Sequence, residues 1–432
     1  MSYLLNCIYV LLVIVALPWL LYQSITKGKY REGFATKFLG RVPRRDSQGT
    51  CVWLHAVSVG EVNLLATLLR EIRSRHPDWQ CVISTTTMTG MALAKKKYSD
   101  LMVFYCPLDF SWAVKAALRR IRPDVLVLAE LELWPNLIRS ARADGAKVAV
   151  VNGRLSEHSF RGYNRIRSLV GTLLRQIDLI AAQDETYAER FRQLGAVDDS
   201  VEVTGSMKYD GAQTDRNNPA TVELAQLAGF QPDDVVMLAG STQDPEEALA
   251  LQAYRELSVD WPALRLVLVP RHPDRFDSVA RMLEEQGVDW QRRTKLSPGD
   301  SQNTDARVLL VDVVGELGAW WGTAKIAYVG GSMGSRGGQN MIEPAAYGAA
   351  VSFGPNTKNF RDIVAAMLAD DAALVVADGR ELTDFVRRCL EDPDYAQSLG
   401  QRAQSLVKRQ LGATERTVEL LSALLARTPE TG

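Results

Sequence analysis

Short apolar runs alternate with stretches of helical periodicity along most of the chain. The runs are rich in Val, Ile, Leu and Ala, and most have four or five residues. Strands that alternate with helices in this way are typical of parallel sheets with helices on both faces. The sequence therefore predicts an α/β protein with two Rossmann-like, doubly wound domains. We predict strands at 52–56, 81–85, 102–105, 125–129, 148–151 and 179–182, and then at 235–239, 266–269, 308–311, 326–329, 350–353 and 374–376. Helices are predicted at 61–74, 91–97, 112–121 and 137–143.

A polar stretch separates the two blocks. Residues 209–220 (YDGAQTDRNNPA) have almost no apolar side chains, which is typical of a linker. We therefore place a first domain at 25–208, a linker at 209–232 and a second domain at 233–432, which closes with an amphipathic helix predicted at 399–427. Because such folds bind ligands beyond the carboxyl ends of their strands, we expect the cleft between two such domains to face both sets of strand ends.

The N-terminal apolar run, residues 3–22, is interrupted by Asn6 and Pro18. As a helix its twenty residues would span roughly 30 Å, the thickness of a hydrocarbon core. Seven bases and one acid within residues 1–45 follow it. A cleaved signal peptide would instead have its charge before the run and small residues at its end. We predict an uncleaved transmembrane anchor at 1–24, with the body on the cytoplasmic side of the inner membrane and the basic flank on anionic lipids. A buried N-terminal helix is the alternative.

The composition and the absence of several motifs exclude or disfavour a number of functional classes. With 50 Lys+Arg against 51 Asp+Glu, the chain is not a globally basic nucleic-acid binder. The five cysteines form no CxxC pair and the four histidines have no metal-ligand spacing, so we predict no metal and no cofactor. No GxxxxGK[ST] occurs, and no GxGxxG follows the first strand of either block. The GxSxG match at 330–334 has no later histidine, which disfavours a hydrolase.

The candidate residues of the first block follow its predicted strands. Ser58, Gly60 and Glu61 lie between the first strand and a helix. Glu61 could act as a general base there, although Ser58 and Glu61 also fit a structural capping box. Further candidates are the acidic pair Glu130 and Glu132, which alternates along an extended segment, and the cation Lys208 after a Gly–Ser turn. Solvated strand ends and an exposed surface lysine are the structural alternatives.

The candidates of the second block suit an anionic ligand. Arg271 follows a strand, where a guanidinium can bind phosphate. Gly331 and Ser332 follow another, where glycines would let backbone amides approach an anion, and 340–343 opens a helix. Glu343 could accept both hydroxyls of a ribose. Trp320 and Trp321 are expected to fill the core.

Taken together, these segments resemble the 3-deoxy-D-manno-octulosonic acid (Kdo) transferase family of Gram-negative lipopolysaccharide assembly. The basic flank after an apolar N-terminus is shared as well, and the motifs occur in the family's order over nearly the whole chain. The residues that carry the resemblance are 55–61 (HAVSVGE), 130–137 (ELELWPNL), 152–156 (NGRLS), 203–209 (VTGSMKY), 269–273 (VPRHP), 315–317 (GEL) and 330–343.

The resemblance implies a glycosyltransferase B fold and an inverting, metal-independent transfer of Kdo from CMP-Kdo to the lipid A precursor. It implies that Glu61 accepts the proton and that Glu130 and Lys208 stabilise the transition state. Val314, Met341 and Leu131 depart from the family's usual residues, which bears on pocket shape. The implied CMP site comprises Pro270, Arg271, Val314, Gly315, Glu316, Asn340, Met341, Ile342 and Glu343. Further expected contacts of acceptor or donor are Ser58, Gly60, Glu132, Arg154, Ser241, Gly331 and Ser332.

Two other functions stay open at this point. One is a membrane-associated transferase that uses a UDP-sugar, such as a lipid A disaccharide synthase or the peptidoglycan GlcNAc transferase. The other is a membrane-anchored nucleotide-binding protein without turnover. Hydroxyl- and carboxylate-bearing loops in both blocks favour an enzyme.

Overall fold

The structure is a computed structural model that describes residues 2–27, 32–46, 48–297 and 306–426. Its chain divides into two compact units, which we call unit 1 (Met1–Gly211 with Gln410–Gly432) and unit 2 (Ala212–Arg409). Both units consist of a parallel sheet covered by helices on its two faces, so the predicted α/β fold class with two Rossmann-like domains is confirmed.

Unit 1 is built on a sheet of seven strands within the described residues. The strands are β1 (Cys51–His55), β2 (Gln80–Thr85), β3 (Met102–Tyr105), β4 (Val125–Ala129), β5 (Lys147–Gly153), β6 (Leu179–Ala182) and β7 (Val201–Val203). The helices are α1 (Ser2–Lys27), α2 (Phe34–Leu39), α3 (Val59–Arg75), α4 (Met88–Lys97), α5 (Ser111–Ile121), α6 (Pro135–Ala143), α7 (Glu157–Asn164), α8 (Arg167–Leu174) and α9 (Glu185–Leu194). The strand order is β3-β2-β1-β4-β5-β6-β7, with every pair parallel.

Unit 2 repeats this plan, and the chain then returns to unit 1 with one more helix. The strands are β8 (Val235–Thr242), β9 (Leu264–Pro270), β10 (Trp290–Arg292), β11 (Val308–Leu310), β12 (Ile326–Val329), β13 (Ala350–Phe353) and β14 (Leu374–Val375). The helices are α10 (Pro219–Leu227), α11 (Glu246–Leu257), α12 (Phe276–Glu285), α13 (Leu317–Trp320), α14 (Ile342–Ala346), α15 (Arg361–Ala369), α16 (Gly379–Glu391), α17 (Pro393–Gln410) and finally α18 (Ala413–Ala426). The strand order is β10-β11-β9-β8-β12-β13-β14, again parallel throughout.

The apolar runs form the centres of the two sheets. Every residue of β1 and β4 is buried, as are all residues of β9 and β12. Strands buried on both faces need continuous apolar runs, which is why these segments were readable from the sequence. Trp320 and Trp321 are buried as expected.

Two strands of the structure were not predicted from the sequence. β7 and β10 have only three residues each, and both lie at an edge of their sheet. Their sequences, Val-Glu-Val and Trp-Gln-Arg, carry polar side chains in the middle or at the end. Because an edge strand needs little apolar surface, a run-based reading does not detect it.

The structure of the C-terminal segment corrects two predictions, the length of the last helix and the end of the second domain. The predicted single helix at 399–427 is broken after α17, where Gly412 adopts a left-handed φ of 88°, and residue 427 lies outside the described residues. The carboxylate of Asp210 accepts the backbone N–H of Gly412 and of Thr414, and so caps the first turn of α18. α18 packs in unit 1 with Val418 and Leu421 in its core. Residues 410–426 were predicted to belong to the second domain, and that prediction is wrong.

Helix α1 covers the N-terminal apolar run and is fixed to unit 1 by polar side chains. Asn6 exchanges hydrogen bonds with Ser111, at 2.7 Å to its hydroxyl and 3.0 Å from its backbone N–H. The Tyr9 hydroxyl donates to the carboxylate of Asp109 at 3.0 Å. These contacts correct the prediction of an anchor at 1–24 that stands apart from the first domain.

A search of the described helices finds none that combines the length and the apolar character needed to cross a membrane. The predicted transmembrane anchor is therefore unsupported. Lys29 and Arg31 of the predicted basic flank lie outside the described residues.

Candidate active site at the strand ends

The candidate residues of unit 1 meet where the strand order reverses. β1 lies between β2 and β4, so consecutive connections leave it in opposite directions and open a crevice at the carboxyl ends. The loop after β1 carries Ser58 and leads into α3, and the loop after β4 carries Glu130 and Glu132. The topology therefore brings together side chains that are about 70 positions apart in the sequence.

Glu61 is oriented by the loop in which it lies. Its Oε1 accepts the Ser58 hydroxyl at 2.7 Å and the Ser58 N–H at 3.3 Å, while Oε2 accepts the Val57 N–H at 2.8 Å. The Glu61 N–H donates back to Ser58 Oγ at 3.3 Å, which completes a capping box at the start of α3. The capping-box interpretation is thus confirmed, and it leaves lone pairs on Oε2 for a further partner.

The charge state of Glu61 reflects two opposing effects. Burial raises the pKa of Glu61, and the nearby charge of Glu130 acts in the same direction. The hydrogen bonds from Ser58 and Val57 lower the pKa because they stabilise the ionised form. Gly60, by contrast, lies inside α3 with no left-handed φ, and a Cβ there would meet only Ser58 Oγ at 3.7 Å. The backbone conformation at position 60 therefore does not require a glycine.

Glu130 and Lys208 form an ion pair beside Glu61. Lys208 Nζ lies 2.9 Å from Glu130 Oε1, and both side chains are partly exposed. Glu130 has a left-handed φ of 58°, a conformation that costs a non-glycine residue about 1–3 kcal/mol. Its N–H donates to the Val151 carbonyl at 2.9 Å, which holds the turn in place. The structure therefore maintains a strained backbone at the residue that faces the cation.

The loop that carries Lys208 is held by Asn152, for which the sequence suggested no role. Asn152 is fully buried at the end of β5 with a φ of 54°. Its Oδ1 accepts the Met207 N–H at 3.0 Å and lies 3.5 Å from the Ser206 hydroxyl. An asparagine directly after an apolar strand was the available signal, because Asn tolerates the left-handed region and binds nearby backbone.

Glu132 is the most perturbed carboxyl group of this cluster. Burial, the charge of Glu61 and that of Glu130 raise the pKa of Glu132 to about 7, although a hydrogen bond from Trp134 opposes the shift. The Trp134 indole N–H donates to Glu132 Oε2 at 2.9 Å. Arg154 is partly buried just beyond β5, at the same edge of the sheet. Glu61, Glu130, Glu132 and Lys208 thus form one charged cluster.

Unit 2 has a second switch point, between β8 and β12. Ser241 is the second-to-last residue of β8. It is buried and has a left-handed φ of 54°. Gly331 follows β12 with a left-handed φ of 67°. Ser332 is fully buried; its hydroxyl donates to the Val329 carbonyl at 2.6 Å and accepts the Gly354 N–H at 2.7 Å. The Ser332 hydroxyl thus bonds to backbone groups of unit 2.

The backbone amides after β12 differ from the sequence-based expectation. The N–H groups of Gly331, Ser332 and Met333 all donate to the carboxylate of Glu246, at 2.7, 2.9 and 2.9 Å. The Ile342 N–H, in the first turn of the five-residue helix α14, donates to Asn340 Oδ1 at 3.1 Å. These amides are already occupied, so the expected backbone cradle for an anion is not formed by them.

Arg271, Asn340 and Glu343 come together at the carboxyl edge of the second sheet. Asn340 Nδ2 donates to Glu343 Oε1 at 3.0 Å. Burial raises the pKa of Glu343, whereas the Asn340 hydrogen bond and the charge of the nearby Arg271 lower it. Arg271 is exposed beyond β9, which ends at the buried Pro270. Met341 and Ile342, which follow Asn340 in the chain, are buried.

The predicted segment 314–316 lies beyond β11, next to β9 in the sheet. Val314 is 72% exposed, and Gly315 has a left-handed φ of 102°. Glu316 is paired with two guanidinium nitrogens of Arg293, Nη2 at 2.8 Å and Nε at 2.9 Å, and accepts the Trp320 indole N–H at 3.1 Å. Sequence reasoning had not identified Arg293 as its partner.

Within the described residues, no group of three or more His, Cys, Asp or Glu side chains could hold a metal ion. The charged cluster of unit 1 combines carboxylates with a lysine. Such a set can accept a proton and stabilise developing charge.

Comparisons with known proteins place the chain among sugar transferases. A sequence model described as 3-deoxy-D-manno-octulosonic-acid transferase (kdotransferase) matches residues 31–211. The 3-deoxy-D-manno-octulosonic acid transferase of Haemophilus influenzae is 32% identical over 94% of each chain. The protein of the same name from Bordetella pertussis is 33% identical over 93% of this chain and 94% of its own. Among solved structures, UDP-GlcNAc 2-epimerase from Neisseria meningitidis, bound to UDP-GlcNAc, aligns with a TM-score of 0.56 at 13% identity, over 87% of this chain and 100% of that one. This last similarity supports the fold alone.

Proposed function

Because the chain belongs to the Kdo transferase family and is therefore a glycosyltransferase, we propose that it moves Kdo from CMP-Kdo to a sugar hydroxyl of the lipid A precursor, lipid IVA. The transfer inverts the anomeric centre, needs no metal ion and belongs to lipopolysaccharide core biosynthesis. The observation that carries this proposal is the cluster of Glu61, Glu130 and Lys208 at the switch point of unit 1.

Glu61 is the proposed general base. Three donor groups of its own loop fix its carboxylate, yet Oε2 accepts only the Val57 N–H among the described residues. The hydrogen bonds that stabilise its ionised form keep it able to take a proton. A positioned base of this kind contributes about 10²–10⁴-fold to the rate.

The proposed reaction is a single displacement. The acceptor hydroxyl oxygen attacks the anomeric carbon of Kdo, and its proton passes to Glu61. The bond from that carbon to the phosphate oxygen breaks, and CMP leaves with the electron pair. Because a phosphate is already a good leaving group, no carboxylic acid has to protonate it, in contrast to the carboxylate pair of glycoside hydrolases.

Lys208 and Glu130 stabilise the transition state in this proposal. Their ion pair places a cation and an anion at fixed positions where charge separates during transfer. Fixed charges in a partly dehydrated site require little reorganisation during the reaction. Asn152 supports this arrangement by holding the backbone next to Lys208.

The donor site belongs to unit 2 in the same proposal. Arg271 supplies a guanidinium for the phosphate of CMP, and Glu343 with Asn340 supplies acceptors and a donor for the nucleoside. Pro270, Met341 and Ile342 form the buried floor beside them. Val314, Gly315 and Glu316 line the same edge of the sheet.

Helix α1 is proposed to bring unit 1 to the surface of the inner membrane, where the acyl chains of the acceptor reside. Leu11, Leu12, Ile14 and Val15 are between 59% and 71% exposed along it. An exposed apolar helix surface of this kind binds at the boundary of headgroups and acyl chains.

The proposal is tested by incubating the purified protein with CMP-Kdo and a tetraacylated disaccharide acceptor, with the product mass as readout. We expect a mass gain of one or more Kdo residues and no product from UDP-sugars. Protection against thermal unfolding by CMP but not by UDP is the matching binding result. Transfer from a UDP-sugar, or binding without turnover, would contradict the proposal.

A further inference from the structure

Glu246 is a buried carboxylate that accepts five hydrogen bonds. It is 1% exposed at the first residue of α11. Oε1 accepts the N–H groups of Ser332 and Met333, each at 2.9 Å, and the Tyr328 hydroxyl at 2.9 Å. Oε2 accepts the N–H groups of Gly331 at 2.7 Å and Gln243 at 2.9 Å. Five donors around one side chain require a group that only accepts, which is the ionised carboxylate.

These partners belong to both sides of the switch point in unit 2. Gln243 lies in the loop after β8, whereas Gly331, Ser332 and Met333 lie in the loop after β12. One side chain therefore joins two loops that no strand pairing connects at this point. Hydrogen bonds to a buried ion are stronger than those between neutral groups, so the join is rigid.

The loop after β12 is built around this carboxylate. A Cβ at Gly330 would lie 2.8 Å from Glu246 Oε2 and 2.6 Å from the Cα of Thr242, so only glycine fits there. The close approach accounts for Gly330, and the left-handed φ of 67° accounts for Gly331, where the sequence predicted a phosphate cradle. The anion in that cradle is the protein's own carboxylate.

The same loop sets the position of the proposed donor residues. The Gly338 N–H donates to the Gly331 carbonyl at 2.8 Å. The later part of the loop is therefore bonded to Gly331, whose N–H donates to Glu246. Two residues later Asn340 caps Ile342 and donates to Glu343. A shift of Gly331 would therefore be passed to the side chains that are proposed to bind the nucleoside.

We propose that Glu246 is a positioning residue for the nucleotide donor, which holds the loop after β12 so that Asn340 and Glu343 have their binding geometry. The inference rests on the proposed function, since it takes unit 2 as the CMP site. It also leaves Arg271, rather than the amides at 331–333, as the partner of the donor phosphate in unit 2.

The test compares Glu246→Gln with the wild-type protein, using CMP as the probe. Glutamine keeps the shape but places an NH₂ group against N–H donors, so part of the network is broken. We expect the dissociation constant of CMP, measured by calorimetry, and the KM for CMP-Kdo to rise about tenfold or more. The KM for the acceptor should not change, because the cluster of unit 1 is untouched.

A matched control separates positioning from general loosening of unit 2. Asp234 is a buried carboxylate at the opposite end of β8, paired with Arg265 and with Arg307 at 2.8 Å. Asp234→Asn should lower the denaturation midpoint while leaving CMP affinity as in the wild type. Equal losses of CMP affinity in both variants, or none in Glu246→Gln, would overturn the proposal.

Two further outcomes have a defined meaning for the proposal. Where Glu246→Gln does not fold, Tyr328→Phe takes its place, because it removes one donor from the same carboxylate and leaves four. A CMP dissociation constant raised severalfold then supports the proposal, and an unchanged one overturns it. Failure of the wild-type protein to bind CMP at all would instead refute the proposed function and is distinguishable at the first titration.

Discussion

Glu61 and Glu246 occupy similar places in the two units and have different environments. Each lies in the first turn of the helix that follows the central strand at a switch point. Glu61 is partly exposed and accepts hydrogen bonds only from its own loop, among the described residues. Glu246 is buried and accepts them from two loops. Burial and the origin of the donors, rather than residue type or helix position, decide which carboxylate remains available for chemistry.

The comparison extends to the surrounding charges. Glu61 has two ionisable neighbours: the charge of Glu130 raises the pKa of Glu61, and the charges of Glu61 and Glu130 raise the pKa of Glu132. Around Glu246 the partners are backbone amides and one tyrosine hydroxyl. The first arrangement is suited to moving a proton, whereas the second holds a fixed charge.

The largest expected difference between the two glutamates is in stability. Glu246→Ala should destabilise unit 2 by on the order of 3–5 kcal/mol, because buried donors lose their acceptor. Glu61→Ala should cost about 1 kcal/mol, since the freed amides of its capping box can reach water. Urea denaturation followed by circular dichroism measures both. Equal shifts of the midpoint in the two variants would contradict the assigned difference.

A second expected effect concerns the cation of unit 1. Lys208→Met should lower kcat by about 10²–10³-fold, because the variant lacks the fixed cation that stabilises the charge developing in the transition state. CMP affinity should be unchanged, since none of the proposed donor residues of unit 2 is altered. Steady-state kinetics with both substrates, beside Lys208→Arg as the charge-preserving variant, measure this effect. A Lys208→Met enzyme with wild-type kcat would remove Lys208 from the mechanism.

The smallest expected effect is a gain in stability at high pH when Glu132 is replaced by glutamine. The pKa of Glu132 is raised to about 7 by burial and by the neighbouring carboxylates. The folded state therefore binds more protons than the unfolded state, and the stability contributed by Glu132 falls as the pH rises from about 4.5 through 7. Glu132→Gln should remove this slope and make the protein about 1–2 kcal/mol more stable at pH 8 than the wild type. Denaturation midpoints at pH 5 and pH 8 give the comparison, and an unchanged slope would contradict it.

The central strands could be predicted from the sequence because their burial on two faces requires continuous apolar runs. The ranges predicted at 102–105, 125–129 and 326–329 agree with β3, β4 and β12. The edge strand β7 and the break at Gly412 could not be predicted in this way. Both depend on tertiary partners, such as the Asp210 carboxylate, which no local pattern reveals.

The candidate site was partly readable for a related reason. Glu61, Glu130 and Lys208 follow strand ends, and the parallel topology gathers such positions at one edge. The role of Glu246 could not be seen, because it depends on amides about 85 residues further along the chain. The glycines at 330–331 indicate close backbone approach to an anion. They do not indicate that the anion is a side chain.

The most direct test of the account is a single-turnover comparison of the wild-type enzyme with Glu61→Gln, with enzyme in excess over CMP-Kdo. Glutamine still accepts the Ser58 N–H of the capping box and loses only the Val57 N–H, so the fold should be retained and the denaturation midpoint should fall only slightly. It cannot take the acceptor's proton, so we expect the rate of Kdo transfer to fall by about 10²–10⁴-fold while CMP affinity is unchanged. A transfer rate close to that of the wild type would show that the carboxylate at position 61 is a helix cap and not the base.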